Sequence, residues 1–263
     1  MPTSEGEALP PLEAGIAQAL AAKVSDAITA AAQGSPGRPA SLKSRQLAAK
    51  RVSPSTAKKI HVLDDYGLII WDEAMTILDR ILVYPFTASY RKHLLGAPKE
   101  VIGAWQFHSH SLRVGELYIV QDRTVALLEF LKVVADDCGL PATDRRKSFE
   151  SSFKKTFERR LRERHRLTHA HERPSMISRI IDLSGAKWTD DKEGVEKQVI
   201  DLMTKTLPML VQSSEATGRT PPRTPKDVET LHELQAEREA RQMLKLVGDA
   251  LLGTINDPAV APP

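Results

Sequence analysis

The stretch Phe149-Glu-Ser-Ser-Phe-Lys-Lys-Thr-Phe-Glu-Arg-Arg-Leu161 decides the fold class. Phe149, Phe153, Phe157 and Leu161 recur every four residues among charged and polar neighbours, the period of one helix face. Aromatic rings four apart on a helix this charged have one stable destination, a packed core, where each is worth roughly 1.5–3 kcal/mol. The same period extends outward in both directions. Val101, Trp105, Leu112, Leu117, Val120, Leu127, Leu128 and Leu131 make residues 99 to 135 one long amphipathic segment, closed by Gly139-Leu-Pro141. Trp71, Met75, Leu78 and Leu82 mark another helix, stopped by Pro85. Leu12, Ile16, Leu20, Val24 and Ile28 mark a first one, ending near Gln33-Gly34. On the far side, Ile177, Ile180 and Ile181, then Val195, Val199, Leu202 and Met203, indicate two shorter helices. Thr224 as N-cap with Pro225 at the first helical position opens a last helix, whose apolar stripe is Val228, Leu231, Met243, Leu244, Val247 and Leu251. No alternating run is long enough for a sheet, and no repeat is evident. The fold class is all-α, a helical bundle built around residues 60 to 210.

The organisation expected from this reading is an N-terminal helix plus a flexible basic linker over 1–58, the bundle over 59–212, a linker over 213–225, a C-terminal helix over 226–255 and a tail over 256–263. The 263 residues suffice for one or two domains with a real core. Apolar residues at 41% and charged residues at 27% exclude a chain disordered throughout. The single cysteine, Cys138, excludes an intrachain disulfide and a Cys-based zinc finger, and fits a reducing compartment. Met1 to Gly15 carries three glutamates and no basic residue, unlike a signal peptide. The longest apolar runs fall far short of the roughly 20 residues of a membrane span. The expectation is a soluble, cytoplasmic protein with no membrane partner.

The net charge of +3 hides an asymmetry. Residues 34 to 59 hold seven cations (Arg38, Lys43, Arg45, Lys50, Arg51, Lys58 and Lys59) and no carboxylate. Residues 144 to 179 hold twelve basic against five acidic residues, net +7, which leaves the rest of the chain at −11. Charge segregated this way points to a polyanion partner. Within the second block lies Glu163-Arg-His-Arg-Leu-Thr-His-Ala-His-Glu-Arg-Pro174, where three of the eight histidines fall within seven residues, interleaved with arginines. Guanidinium groups hold a phosphodiester and its developing charge, and an imidazole near neutrality moves protons. Together they suffice for metal-free RNA cleavage, in which the 2′-hydroxyl attacks its own phosphate.

Arg164-His165-Arg-Leu-Thr-His169, at the end of a bundle helix, resembles the motif of the HEPN (higher eukaryotes and prokaryotes nucleotide-binding) superfamily, an arginine followed by a polar residue and then a histidine four to six residues on. The usual form is Arg-Asn-x-x-x-His, and His165 stands where Asn is usual. The resemblance covers the motif and its helical lead-up from about residue 100. It implies a homodimer in which two motif helices face each other, with Arg164 holding the phosphate, His169 in proton transfer, and His165 or His171 in support. On an uninterrupted helix, residues seven apart share a face whereas residues five apart diverge by about 140°. Helix geometry therefore favours Arg164 with His171, and the family pattern favours Arg164 with His169. Arg166 and Arg173 join Lys58 and Lys59 as candidate nucleic-acid contacts. No cofactor and no metal are implied. Phe107-His-Ser-His110 reads as a polar pair on a packed helix, and Asp122 with Arg123 as a helix-side ion pair.

Ser44 to Ile69 resembles a helix-turn-helix, with Leu47-Ala48 on the first helix, the turn at Val52-Ser53, Ser55 to Asp64 on the recognition helix, and Tyr66 to Ile69 as the exit of a winged helix. The functional expectation is a metal-independent RNA-cleaving or RNA-binding HEPN-like protein of toxin or defence type, an endoribonuclease if the motif is active, with RNA and a second copy of itself as partners and an antitoxin-type protein as a further one. The alternative is a noncatalytic helical DNA-binding regulator or protein-interaction module. Deleting 1–58 is expected to spare the fold and weaken nucleic-acid binding.

Overall fold

A computed structural model describes residues 10–34, 36–89, 98–169 and 225–255; within helices, 88–89, 99–100, 102–111, 163–169 and 225–232 are described by their backbone alone. Helix dominates: 80% of these residues are helical and no strand forms, leaving two isolated bridges, Pro39 with Val62 and Ala142 with Ile255. The all-α expectation holds at this level. No helix among the described residues is long and apolar enough to cross a membrane. The helices are α1 (Ala14–Gln33), α2 (Leu42–Ala49), α3 (Pro54–Ala57), α4 (Tyr66–Val83), α5 (Phe86–Ser89), α6 (Lys99–Cys138), α7 (Arg146–His169) and α8 (Pro225–Thr254). They form two compact units, one from Met1–Leu82, Tyr118–Glu158 and Ala240–Pro263, the other from Val83–Leu117 and Arg159–Glu239. The units are discontinuous in sequence, because α6, α7 and α8 each supply residues to both. The inferred short helices at 177–181 and 195–203 and the linker at 213–224 lie outside the described residues.

The first unit is organised by close approach between helices. α1 buries Ala17, Ala21, Val24, Ser25, Ile28 and Ala32, so half of its contact face is alanine and most of it is small. Ile16 and Leu20, read from the sequence as part of that face, are only half-buried, and Leu12 precedes the helix. Small side chains let a neighbouring backbone come close: a Cβ on Gly67 would collide with the Thr29 hydroxyl, and the Ser25 hydroxyl donates 2.9 Å to the Gly67 carbonyl. α4 buries Tyr66, Ile69, Ile70, Ala74, Ile77, Leu78 and Ile81. The helix is where the periodicity puts it, but of the residues that marked it only Leu78 is fully buried, and Trp71 is 37% exposed. α6 lies antiparallel to α4: Tyr66 meets Phe130 edge-on at 5.7 Å, and seven residues along each helix Glu73 accepts from Arg123 at 3.3 Å. Arg123 thus pairs across helices rather than with its exposed neighbour Asp122. Gly139, at φ 77°, ends α6 in the left-handed conformation, with Leu140 N–H returning 2.9 Å to the Ala135 carbonyl.

The phenylalanine row is buried as its spacing requires: Phe149, Phe153 and Phe157 are 4%, 0% and 2% exposed, with ring centroids 5.5 and 4.7 Å apart. Leu161 is half-buried. The backbone at Phe157 (φ −108°, ψ 17°) departs from helical geometry, so α7 kinks there. On α8, Pro225 is the first helical residue and Met243, Leu244, Val247 and Leu251 are buried.

The basic stretch is docked, not flexible. Ser41 caps α2, and its N–H donates 3.0 Å to Asp137 of α6; the Ser44 hydroxyl bonds the same carboxylate. Arg51 donates 2.6 Å to the Leu47 and Ala126 carbonyls and lies 4.6 Å over the Phe130 ring. The expected recognition helix over Ser55–Asp64 does not form. Ser53 and Pro54 start a helix, but α3 lasts four residues. Ala40 N–H donates to the His61 carbonyl (3.0 Å) and Leu63 N–H to the Arg38 carbonyl (3.2 Å), which requires extended chain at 60–62. Tyr66 to Ile69 then opens α4 rather than a wing.

Phe153→Ala is expected to cost about 3–5 kcal/mol in urea unfolding, with Phe157→Ala in the same range; an unchanged transition midpoint would mean the row is not core. Because α1 is embedded in the first unit, deleting residues 1–58 is now expected to abolish its cooperative thermal transition, followed by circular dichroism.

Candidate functional site

The first part of the histidine and arginine cluster, Glu163 to His169, occupies the closing turns of α7, and the residues that fix this helix ahead of it lie in the second unit. Four residues before Arg164, Arg160 donates through Nε to a Glu239 carboxylate oxygen at 2.8 Å. The other oxygen accepts the Tyr84 hydroxyl at 2.6 Å, and Gln235, one turn earlier on α8, donates 3.1 Å to the oxygen that Arg160 holds. The side chains of Arg160 and Glu239 are 14% and 9% exposed, and Tyr84 is 2% exposed. A carboxylate withdrawn from water this far is stable only when its lone pairs are filled, which these donors do. Burial, then the Glu239 charge, pushes the Tyr84 hydroxyl far above its ordinary range, so it remains a donor. α7 is therefore clamped to α8 and to the residue after α4 one turn before the motif begins.

The motif is described by its backbone alone. α7 continues helically through His169. Within one chain, positions 164 and 169 then stand about 140° apart round the axis, whereas 165 and 169, four apart, share a face. His171 and Arg173 lie outside the described residues. Lys58 closes α3 as its C-cap, Lys59 follows, and both are exposed. His108 and His110 fall on α6, two positions apart and so on different faces. Among the described residues no group of three or more His, Cys, Asp or Glu side chains is arranged to hold a metal ion. The half-buried Cys138 thiol is pushed up to about 11 by burial and then by Asp137, which leaves almost no thiolate near neutrality.

Comparison with protein-family models, with curated proteins and with solved structures finds no match to this chain.

Sequence reasoning missed Glu239, Tyr84 and Arg160. Glu239 reads as one more charge on an amphipathic helix and Tyr84 as part of an apolar run, and 155 residues separate the two partners. Arg160 sits beside Leu161 in a stretch, 154 to 166, where seven of thirteen residues are Lys or Arg, so nothing local distinguishes it. Glu239→Ala takes an acceptor from both Tyr84 and Arg160 and is expected to cost about 3–5 kcal/mol, against about 1 kcal/mol for Tyr84→Phe, in denaturant unfolding. Equal effects would mean that the Arg160 pairing adds nothing beyond the Tyr84 hydrogen bond.

Proposed function

We propose that this chain is a HEPN-like protein that binds RNA and cleaves it without a metal, as a homodimer, in the manner of a toxin or defence ribonuclease. The observation that carries the reading is Arg164-His165-Arg-Leu-Thr-His169 on the closing turns of α7, behind a buried phenylalanine row and the Arg160–Glu239 clamp. Arg164 holds the phosphate and its developing charge, and His169 moves the proton between the 2′-hydroxyl and the leaving oxygen. His165 stands on the His169 face of the helix, and His171 is the alternative partner of Arg164. Arg166, Arg173, Lys58 and Lys59 contact flanking phosphates. Since positions 164 and 169 diverge round one helix, a shared phosphate is reached most simply when Arg164 of one copy meets His169 of the other. That is the composite dimer site the resemblance implies. A DNA regulator reading through Ser55–Asp64 loses its support, because a four-residue α3 is too short to fill a major groove.

Purified protein is expected to cleave single-stranded RNA in excess EDTA, leaving a 2′,3′-cyclic phosphate, and to spare DNA, which lacks the nucleophile. Arg164→Ala and His169→Ala should each slow cleavage at least about a hundredfold without unfolding the protein. Loss of activity in His171→Ala alone would move the proton-transfer role to that residue. Intact RNA with wild-type protein, or cleavage persisting in Arg164→Ala, would refute the catalytic reading.

A further inference from the structure

Helix α4 carries more apolar surface than its fold uses. Its core-facing row runs Tyr66, Ile70, Ala74, Ile77 and Ile81. A second row, Leu68, Trp71, Met75 and Leu82, is centred about 130° round the axis from the first. Leu68 is 73% exposed and Trp71 37% exposed, while Met75 and Leu82 are half-buried. Leu68, Met75 and Leu82 follow one another at intervals of seven, and Trp71 and Leu78 lie three residues after the first two. This is the alternating three-and-four spacing of a helix–helix seam, sustained for two heptads, with Leu78 at its border already in the core. Scattered exposed leucines need no explanation, but a continuous row at this period does.

The flank of the row narrows the occupant. Asp72 and Asp79, also seven apart, run along its solvent side and are exposed, and among the described residues neither forms an ion pair. Carboxylates there oppose seating on an anionic lipid surface, which favours basic flanks. They also oppose antiparallel pairing with a second copy, which would bring Asp72 opposite the other copy's Asp79. They fit an amphipathic helix that sets its own apolar row against Leu68, Trp71, Met75 and Leu82 and brings lysines or arginines to the two aspartates.

We infer that the outer face of α4 docks a basic-flanked amphipathic helix from a partner protein, independently of the motif at the end of α7. A fluorescein-labelled 21-residue helical peptide with leucine at the seam positions and lysine at the flanking ones is the probe, and its counterpart carries glutamate in place of lysine. Anisotropy titration with the full chain at 0.15 M salt should show the lysine peptide binding at least tenfold more tightly. Asp72→Lys with Asp79→Lys should reverse that preference, and Leu68→Ser with Trp71→Ser should weaken the lysine peptide at least tenfold. These positions are at the surface, so an unchanged melting temperature confirms that each variant is folded. Equal affinity for the two peptides, binding of neither, or a preference unaltered by the charge swap overturns the inference. So does sedimentation showing that the protein self-associates through this face and that Leu68→Ser with Trp71→Ser renders it monomeric.

Discussion

One ring on α6 ties the first unit together. Phe130 is fully buried, receives the edge of Tyr66 from the start of α4, and carries the Arg51 guanidinium over its face. Arg51 also closes onto the Leu47 and Ala126 carbonyls, so the chain from α2 to α4 is pinned to α6 at a single aromatic group. The arrangement has a cost. Burial lowers the pKa of the Arg51 guanidinium, and among the described residues the Tyr66 hydroxyl reaches no hydrogen-bond partner and is pushed up to about 12. The cation–π contact and two carbonyl acceptors offset the first term, and the edge-on ring contact offsets part of the second. Register follows from this point: with Tyr66 opposite Phe130 on antiparallel helices, Glu73 must meet Arg123 one heptad along.

Each unit then contains one largely buried carboxylate with an arginine on it, Glu73 with Arg123 in the first and Glu239 with Arg160 in the second. Such pairs add little net stability over apolar packing, but a misaligned pair costs a great deal, so they select one register among many. In the second unit the selected register is that of α7, and the residues immediately after the clamp are the arginine and histidine cluster. The proposed chemistry thus begins one turn after this clamp.

The seven cations of residues 34 to 59 are not alike. Arg51 is spent on packing, and Lys43 leans toward Glu129 at 4.0 Å. Lys58 and Lys59 stand exposed beside the end of α3, on a segment that Ser41, Asp137 and the Pro39–Val62 bridge hold in place. Arg38, Arg45 and Lys50 are exposed as well, so most of the cations of this stretch face solvent. The outer row of α4 is the complementary case, apolar with acidic neighbours. The described surface therefore carries exposed cations on one segment and an apolar row with acidic neighbours on another.

Helix existence was legible in the sequence because helical hydrogen bonds are local and the 3.6-residue period exposes them. α1, α4, α6, α7 and the end of α8 all fall where their apolar spacing lies, and Gly34, Pro85 and Gly139 mark breaks as backbone chemistry requires. The phenylalanine row was legible down to its burial, since nothing else on that helix competes for the core. The helix that carries Arg164 to His169 was legible too, as the continuation of the phenylalanine row's period. What tertiary structure decided is which face and which partner. α4 is apolar over most of its circumference, so periodicity alone does not say that Ile70 and Ile77 turn inward while Leu68 and Trp71 turn out. α1 packs through alanines, which carry little hydropathy signal but permit the closest approach. The helix propensity of residues 55 to 64 yielded to the pairing of Arg38 and Ala40 with Leu63 and His61, a contact made across more than twenty residues. Glu239 and Tyr84 meet across 155 residues. Local sequence encodes backbone hydrogen bonding and period; burial and pairing depend on which surfaces the folded chain brings together.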